Sequence, residues 1–406
     1  MRMSKVILND KYIPLFNSPS RFYVITGGRG SSKSFSVSYW CALILLFEKG
    51  HTILFTRYTM KSAHISIIPE ITSKLELMGH LDKFEVTKDA IISKTTGSSI
   101  LFRGIRTSSG DQSANLKSLQ GVTTWILDEA EELMDEETFD KINLSVRQKG
   151  KQNRVIMLLN PSTKAHWIYN RFFEMKGVEH GSNITKDDTT YIHTTYLDNK
   201  ENLDGSFLKE LENTKKNNAP KYKHIILGGW LDKAEGVIFD NWELGDFNED
   251  SDWECGADFG WSVDESTLIK VSMDSKLKTI WLKEELYEVG KTTSELSNIF
   301  RRVAGSRLIV ADHAEGRLIE EIKRTGVNIK PCVKGAGSVK EGILLMQDYK
   351  LIIDPASINL IKELNNYVWA EKGEKPVDMF NHLLDAARYI ISHRLKKPNI
   401  QKYKIR

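Results

Sequence analysis

Phe22-Tyr23-Val24-Ile25-Thr26-Gly27-Gly28-Arg29-Gly30-Ser31-Ser32-Lys33-Ser34 decides the reading of the first half of the chain. Phe22 to Thr26 is short and apolar, as a buried strand is. The next eight residues, Gly27, Gly28, Arg29, Gly30, Ser31, Ser32, Lys33 and Ser34, form a small-residue loop that opens a helix running to about Phe47. Strand, glycine-rich loop and helix in that order make a phosphate cradle: glycines let several N–H groups converge, and the helix N-terminus adds its positive end. Lys33 is expected on the β- and γ-phosphates of ATP and Ser34 on Mg²⁺. Ser32 stands where the pattern G-x-x-x-x-G-K-[ST] has its last glycine. The competing reading is a turn whose serine caps the helix.

Outward from the loop, Thr52 to Thr56, Trp125 to Leu127 and Val155 to Leu159 are further short apolar runs separated by helical stretches. This alternation predicts an α/β domain with a mostly parallel sheet. The run Trp125-Ile126-Leu127 ends in Asp128 and Glu129. Asp128 is expected to hold Mg²⁺ and Glu129 to orient and deprotonate water. The acids that follow, Glu131 to Glu137, allow the plainer reading of an acidic helix start. Arg29 could reach transition-state oxygens, in cis or from a neighbouring subunit. Asn160, after Val155 to Leu159, could sense the γ-phosphate. Arg57 is a similar candidate with a weaker case.

The segment from about Lys233 to Asp252 is acidic and aperiodic, which predicts a junction. Beyond it come three strands (Cys255 to Phe259, Thr267 to Ser272, Thr279 to Tyr287), a helix at Thr293 to Val303 and a strand at Leu308 to Ala311. Helices at Leu318 to Thr325 and His382 to His393 complete the series. An antiparallel set joined to a βαβ unit is the order of an RNase H-like nuclease. Asp258 and Asp312 end strands and Asp385 lies on the last helix, with His382 one turn before it on the same face. Three acids from separate elements suit two Mg²⁺ or Mn²⁺ ions roughly 4 Å apart. Singly, each acid reads better as a turn former, a cap or an ion-pair partner; jointly, on this element order, they favour the metal site. Asp264, Glu315 and His382 are further ligand or orienting candidates.

The net charge of +3 on 406 residues makes any basic surface local, such as Arg394 to Arg406, with six Lys or Arg and no acid. Cys41, Cys255 and Cys332 have no metal-site or redox spacing, which fits a reducing compartment. The longest apolar run, Cys41 to Phe47, is too short to span a bilayer.

The ordered set GGRGSSKS, WILDEAEEL, LLNPST, ADFGW, VADHAEG and NHLLDAARY resembles the large terminase subunit of tailed bacteriophages. The resemblance covers most of the chain. It implies a P-loop ATPase with a small helical lid and a C-terminal RNase H-like nuclease. It also implies double-stranded DNA, a procapsid portal and a small terminase subunit as partners, with no membrane. The docked form would be a homo-oligomeric ring, usually of five, at the portal in the host cytoplasm; the isolated protein could be monomeric. The expected divisions are 1–235 for the ATPase with its lid at about 165–235, 236–252 as linker, 253–393 as nuclease and 394–406 as basic tail. Residue by residue, the resemblance places Lys33, Ser34 and Asp128 on nucleotide and Mg²⁺, Glu129 as catalytic carboxylate and Arg29 as loop arginine. It puts Asn160 in the coupling segment and Asp258, Asp312 and Asp385 in the nuclease triad. The segment Phe16 to Arg21 is the best candidate for adenine. The alternatives are a helicase- or transposase-like ATPase-nuclease and a nucleotide-binding DNA scaffold without turnover.

Overall fold

The computed structural model describes residues 8–59, 63–107, 110–111, 120–260, 264–335, 337–370 and 375–396. The chain forms two compact units, Met1–Asp232 and Lys233–Arg406.

In the first unit the strands are β1 (Phe22–Gly27), β2 (Thr52–Thr59), β3 (Phe84–Val86), β4 (Ala90–Ser93) and β5 (Ser99–Thr107). They continue as β6 (Gly110–Asp111), β7 (Val122–Asp128), β8 (Arg154–Leu159), β9 (Ile184–Lys186) and β10 (Thr189–Thr194). They make one sheet ordered β3-β4-β5-β2-β7-β8-β1-β10-β9, with β6 on β5. The run from β5 to β10 is parallel, and the outer strands are antiparallel. β7 and β8 are buried along their whole length, because helices cover both faces of a parallel sheet. Alternate residues feed two cores: Ile25, Ile126 and Ile156 join Trp40 of the helix Lys33–Phe47, while Val24, Trp125 and Val155 join Phe139. β8 lies between β1 and β7, so the residues leaving all three strands meet at one edge.

One expectation needs correction here. The stretch 165–235 is not wholly helical, since β9 and β10 belong to the main sheet and β10 pairs directly with β1. Polar Thr189-Thr190-Tyr191-Ile192-His193-Thr194 does not read as a central strand, yet all but His193 are buried. The helical part spans about 196–226 and has its own small core of Tyr196, Leu211, Tyr222 and Ile226. It folds onto the phosphate loop: a Cβ on Gly28 would lie 2.0 Å from the Ile226 carbonyl oxygen, so only glycine fits.

The second unit is a sheet ordered β11-β17-β14-β13-β12-β15-β16. Its members are β11 (Trp242–Leu244), β12 (Trp253–Asp258), β13 (Glu265–Asp274), β14 (Thr279–Val289), β15 (Ile309–Ala311), β16 (Ile329–Pro331) and β17 (Lys350–Ile353). β12, β13 and β14 are antiparallel, and β15, β16, β17 and β11 add in parallel. The expected linker 236–252 is part of this unit: Ile238 and Phe239 are buried in its core, and β11 pairs with β17. Its acidic residues had masked those few apolar anchors. The helix His382–Lys396 lies across β12 so closely that a Cβ on Gly256 would meet the Ala386 carbonyl oxygen at 1.9 Å. Of the expected basic tail, Arg394 belongs to this helix and bonds Asp252, while 397–406 lie outside the described residues.

Candidate functional site

In the first unit a cleft of about 320 Å³ is lined by the loop residues Gly28 to Phe35, by Arg57, Asp128, Glu129 and Glu131, and by Leu158 to Asn160. Of the residues expected at the nucleotide, Gly28 to Ser34, Arg57, Asp128, Glu129 and Asn160 thus border one space, and the Gly27 carbonyl accepts Lys33 Nζ beside it.

Ser32 has φ 61°, the left-handed conformation that the missing glycine would have adopted freely. Its side chain makes no capping hydrogen bond, so the turn-and-cap reading fails and the first N–H groups of the helix Lys33–Phe47 stay open to an anion. Glu129 is also left-handed, at φ 54°, immediately after β7. Two strained residues around one cleft mark a site whose surroundings over-determine them.

The charges interlock. Lys33 Nζ donates to the carbonyl oxygens of Gly27 at 2.7 Å and Gly28 at 3.1 Å, and to Asn160 Oδ1 at 3.0 Å. Burial lowers this ammonium to about 8, against the pull of Glu131 and Asp128. Asn160 Nδ2 donates in turn to Glu131 Oε1 at 3.3 Å. Burial pushes Glu131 up to about 7. Arg57 donates from Nε and Nη2 to Asp128 Oδ2 at 2.8 and 2.7 Å, and its Nη1 stands 3.5 Å from Glu129. Arg57 thus touches both acids, a stronger placement than its sequence suggested. Ser34 and Arg29 are exposed, and among the described residues Arg29 has no ion-pair partner.

Phe16 to Arg21 does not flank this cleft. Arg21 bonds the Asn143 and Val146 carbonyls at the start of β1, a strand of six residues, roughly 20 Å from the loop. A second cleft of about 1050 Å³ opens beside Ser32 instead, bounded by Asn9, Asp10, Phe35, Leu197, Asn199 and Asn202.

In the second unit, Asp258 and Asp312 each lie one residue past the paired Ala257 and Ala311, at the ends of neighbouring parallel strands. The helix lying on Gly256 brings Asp385 to the same end. Each acid has its own cation. His382 Nδ1 is 3.3 Å from Asp258, Lys334 Nζ is 2.7 Å from Asp312, and Arg388 Nη2 is 2.9 Å from Asp385. The Asp258 carboxylate holds His382 up at about 9. Burial raises Asp385, with Arg388 opposing. Burial would raise Asp312 too, but Lys334 and His313 outweigh it and hold that carboxyl below its usual range. Tyr389 donates to Asp258 at 3.4 Å, and the charges of all three acids act on its hydroxyl. Among the described residues the only three side chains with ligand atoms all within 4.8 Å are Asp312, His313 and Cys332, so the three carboxylates stand further apart than a single-ion cage.

Glu265 replaces Asp264 beside the site: its carboxylate is 3.5 Å from His382 Nε2, whereas Asp264 is exposed. Glu315 is exposed and makes no bond to the three acids among the described residues. Glu131, Lys334, Glu363 and Tyr389 were missed from sequence. Glu131 was hidden in the acidic run, though its spacing of two beyond Glu129 was visible. Lys334 becomes relevant only because β16 pairs with β15.

The family model for the phage terminase large subunit matches residues 20–229, just over half of the chain. The chain belongs to the phage terminase large subunit family. The model of the terminase RNase H-like domain matches residues 258–393. The terminase large subunit of Bacillus phage SPP1 is 28% identical, aligned over 98% of this chain and 99% of that one. The PBSX phage terminase large subunit of Bacillus subtilis (strain 168) is 23% identical over 95% and 96%. Among solved structures, the large terminase of a thermophilic bacteriophage aligns over 96% of this chain and all of that one, at 17% identity and a TM-score of 0.47. The first model falls within the first α/β unit and the second, of an RNase H-like domain, within the second. No helix among the described residues is long and apolar enough to cross a membrane.

Proposed function

We propose that this terminase chain is the motor subunit that hydrolyses ATP to drive double-stranded DNA through a procapsid portal, and that its second unit cuts concatemeric DNA. The observation that carries the ATPase reading is the uncapped helix start at Ser32 facing Asp128 and Glu129 across one cleft. The free N–H groups take the phosphates, and Lys33 exchanges the loop carbonyls for the β- and γ-oxygens. The hard oxygens of Ser34 and Asp128 fit a Mg²⁺ ion, which when bound supplies charge neutralisation on those phosphates. Glu129 orients the attacking water and accepts its proton. Arg29, exposed at the mouth, stabilises the transition-state charge. The base lies in the second cleft beside Phe35 rather than near Phe16.

Asp258, Asp312 and Asp385 fit as oxygen ligands for Mg²⁺ or Mn²⁺: they converge on one strand end, and each is already balanced by a cation. Two such ions supply an activated water and stabilise the leaving oxygen of a phosphodiester. His382 orients Asp258. Portal protein, a small terminase subunit and further copies in a ring are the partners, in the host cytoplasm.

Glu129→Gln is expected to abolish ATP hydrolysis while nucleotide still binds; unchanged hydrolysis would sink the ATPase assignment. Asp312→Asn is expected to end Mn²⁺-dependent plasmid cutting, and persistent cutting removes that site. Stimulation of ATP use by portal-bearing capsids separates packaging from a helicase-like role.

A further inference from the structure

Glu131 sits in the short turn Ala130–Glu132 that follows β7, and the roles given to Asp128 and Glu129 leave it unused. Its side chain turns inward and borders the phosphate cleft. Oε1 accepts Asn160 Nδ2, while Oε2 is buried with no hydrogen-bond partner among the described residues. A buried carboxylate oxygen without a donor is costly, and such groups are rare enough to need a cause. Asn160 Oδ1 accepts Lys33 Nζ, so the side chains run Lys33, Asn160, Glu131 across the ends of β1, β8 and β7. The same turn is also tied to the chain beyond Asn160. His166 Nε2 lies 3.2 Å from the Glu131 carbonyl oxygen, and Trp167 Nε1 donates to the Leu133 carbonyl oxygen at 2.6 Å.

We infer that Glu131 is a positioning residue that couples the place of Lys33 to the segment Asn160–Trp167 through the Asn160 amide. This rests on the ATPase reading above. Asn160 spans the two charged groups, its oxygen on the ammonium and its nitrogen on the carboxylate. A phosphate chain in the cleft draws Lys33 away and leaves the Asn160 oxygen without its charged donor. Asn160 then answers to Glu131 alone, and Oε2 offers it a second acceptor position. The turn after β7 and the segment after β8 are held together through His166 and Trp167, so a shift of Asn160 is felt by both. Glu131 contacts neither substrate nor water in this scheme. It sets where Asn160 and, through the turn, Glu129 stand when phosphate is engaged.

The test is steady-state hydrolysis and nucleotide binding on the full chain. Glu131→Gln, which keeps the size but not the charge, is expected to lower kcat about tenfold. KM, nucleotide Kd and thermal midpoint should stay within about twofold or a few degrees. Glu131→Asp, which keeps the charge but shortens the reach, is expected to give a similar loss. Asn160→Ala added to Glu131→Gln is expected to cost less than its effect in the wild type, because both break one chain. Wild-type kcat in both Glu131 variants, or losses that multiply independently, would overturn the inference. Absence of hydrolysis in the wild type, with nucleotide binding insensitive to Lys33→Ala, would instead overturn the ATPase reading.

Discussion

Arg57 and Asp128 meet at a single oxygen: the guanidinium Nε and Nη2 both donate to Oδ2, at 2.8 and 2.7 Å, with both side chains nearly buried. The acid proposed to bind Mg²⁺ is therefore held by a protein cation. Removing that cation leaves Asp128 buried beside Glu129 without its bonded partner, with only the charge of Lys33 nearby. Arg57→Met is expected to lower the unfolding free energy by about 3 kcal/mol. Because Mg²⁺ can replace the lost charge, Mg²⁺ with a nucleotide analogue should stabilise the variant more than the wild type. Denaturant midpoints with and without Mg²⁺-nucleotide measure both, and equal stabilisation would mean that Arg57 and the metal do not share Asp128.

Ser32 holds a left-handed backbone that glycine adopts without strain. Ser32→Gly is expected to be neutral or stabilising by up to about 1 kcal/mol, since relief of strain is partly offset by the freer unfolded chain. ATP hydrolysis should stay within about twofold, since the backbone, not the hydroxyl, shapes the cradle. A tenfold loss of kcat would give the hydroxyl a role of its own.

Gly256 admits the helix His382–Lys396 onto β12, and a Cβ there would stand 1.9 Å from backbone oxygen. Gly256→Ala is expected to displace the helix that carries His382 and Asp385 and to abolish metal-dependent DNA cutting. ATP hydrolysis in the same preparation should persist, because the cleft lies wholly in the first unit. Retained cutting would show that Asp385 does not need this contact.

Glu363 accepts the N–H groups of Leu383 and Leu384 at 3.1 and 2.9 Å, anchoring the start of that same helix. Burial, opposed by those two donors, pushes its carboxyl up to about 8. Between the unfolded value of 4.5 and about 8, the folded protein holds a proton that the unfolded chain has lost. Stability contributed by this group is therefore present at low pH and lost as pH rises through that window, by up to about 1.4 kcal/mol per pH unit. Glu363→Gln should flatten the dependence, at a cost of about 1–3 kcal/mol for turning an amide N–H toward a backbone donor. Unfolding of the second unit followed from pH 5 to 8 checks the slope, and a slope unchanged in the variant assigns it elsewhere.

The glycine-rich loop, the acids after β7, and Asp258, Asp312 and Asp385 stood out in the sequence because each follows a short apolar run at a strand end or sits on a patterned helix. Periodicity marks such places well. β10, β16 and β17 were not legible, being short or polar and buried only by the strands beside them. The stretch 236–252 read as a linker because its acids outnumber Ile238 and Phe239, whose burial needs the rest of the second core.

By itself the sequence determined which chemical groups this terminase has: a curling loop with a lysine, acids after apolar strands, and a helix bearing Asp385. Local pattern suffices for these, because turn conformation and the apolar periodicity of a strand or helix are written in near neighbours along the chain. Which charges face one another was decided only by the tertiary structure. Arg57 meets Asp128 because β2 pairs with β7, and Lys334 meets Asp312 because β16 pairs with β15. Lys33 reaches Glu131 through Asn160 because β8 inserts between β1 and β7. A hydrogen-bonded contact between charged or polar groups needs its atoms within about 3.5 Å, and residues 71 or 127 positions apart come within that range only through strand order.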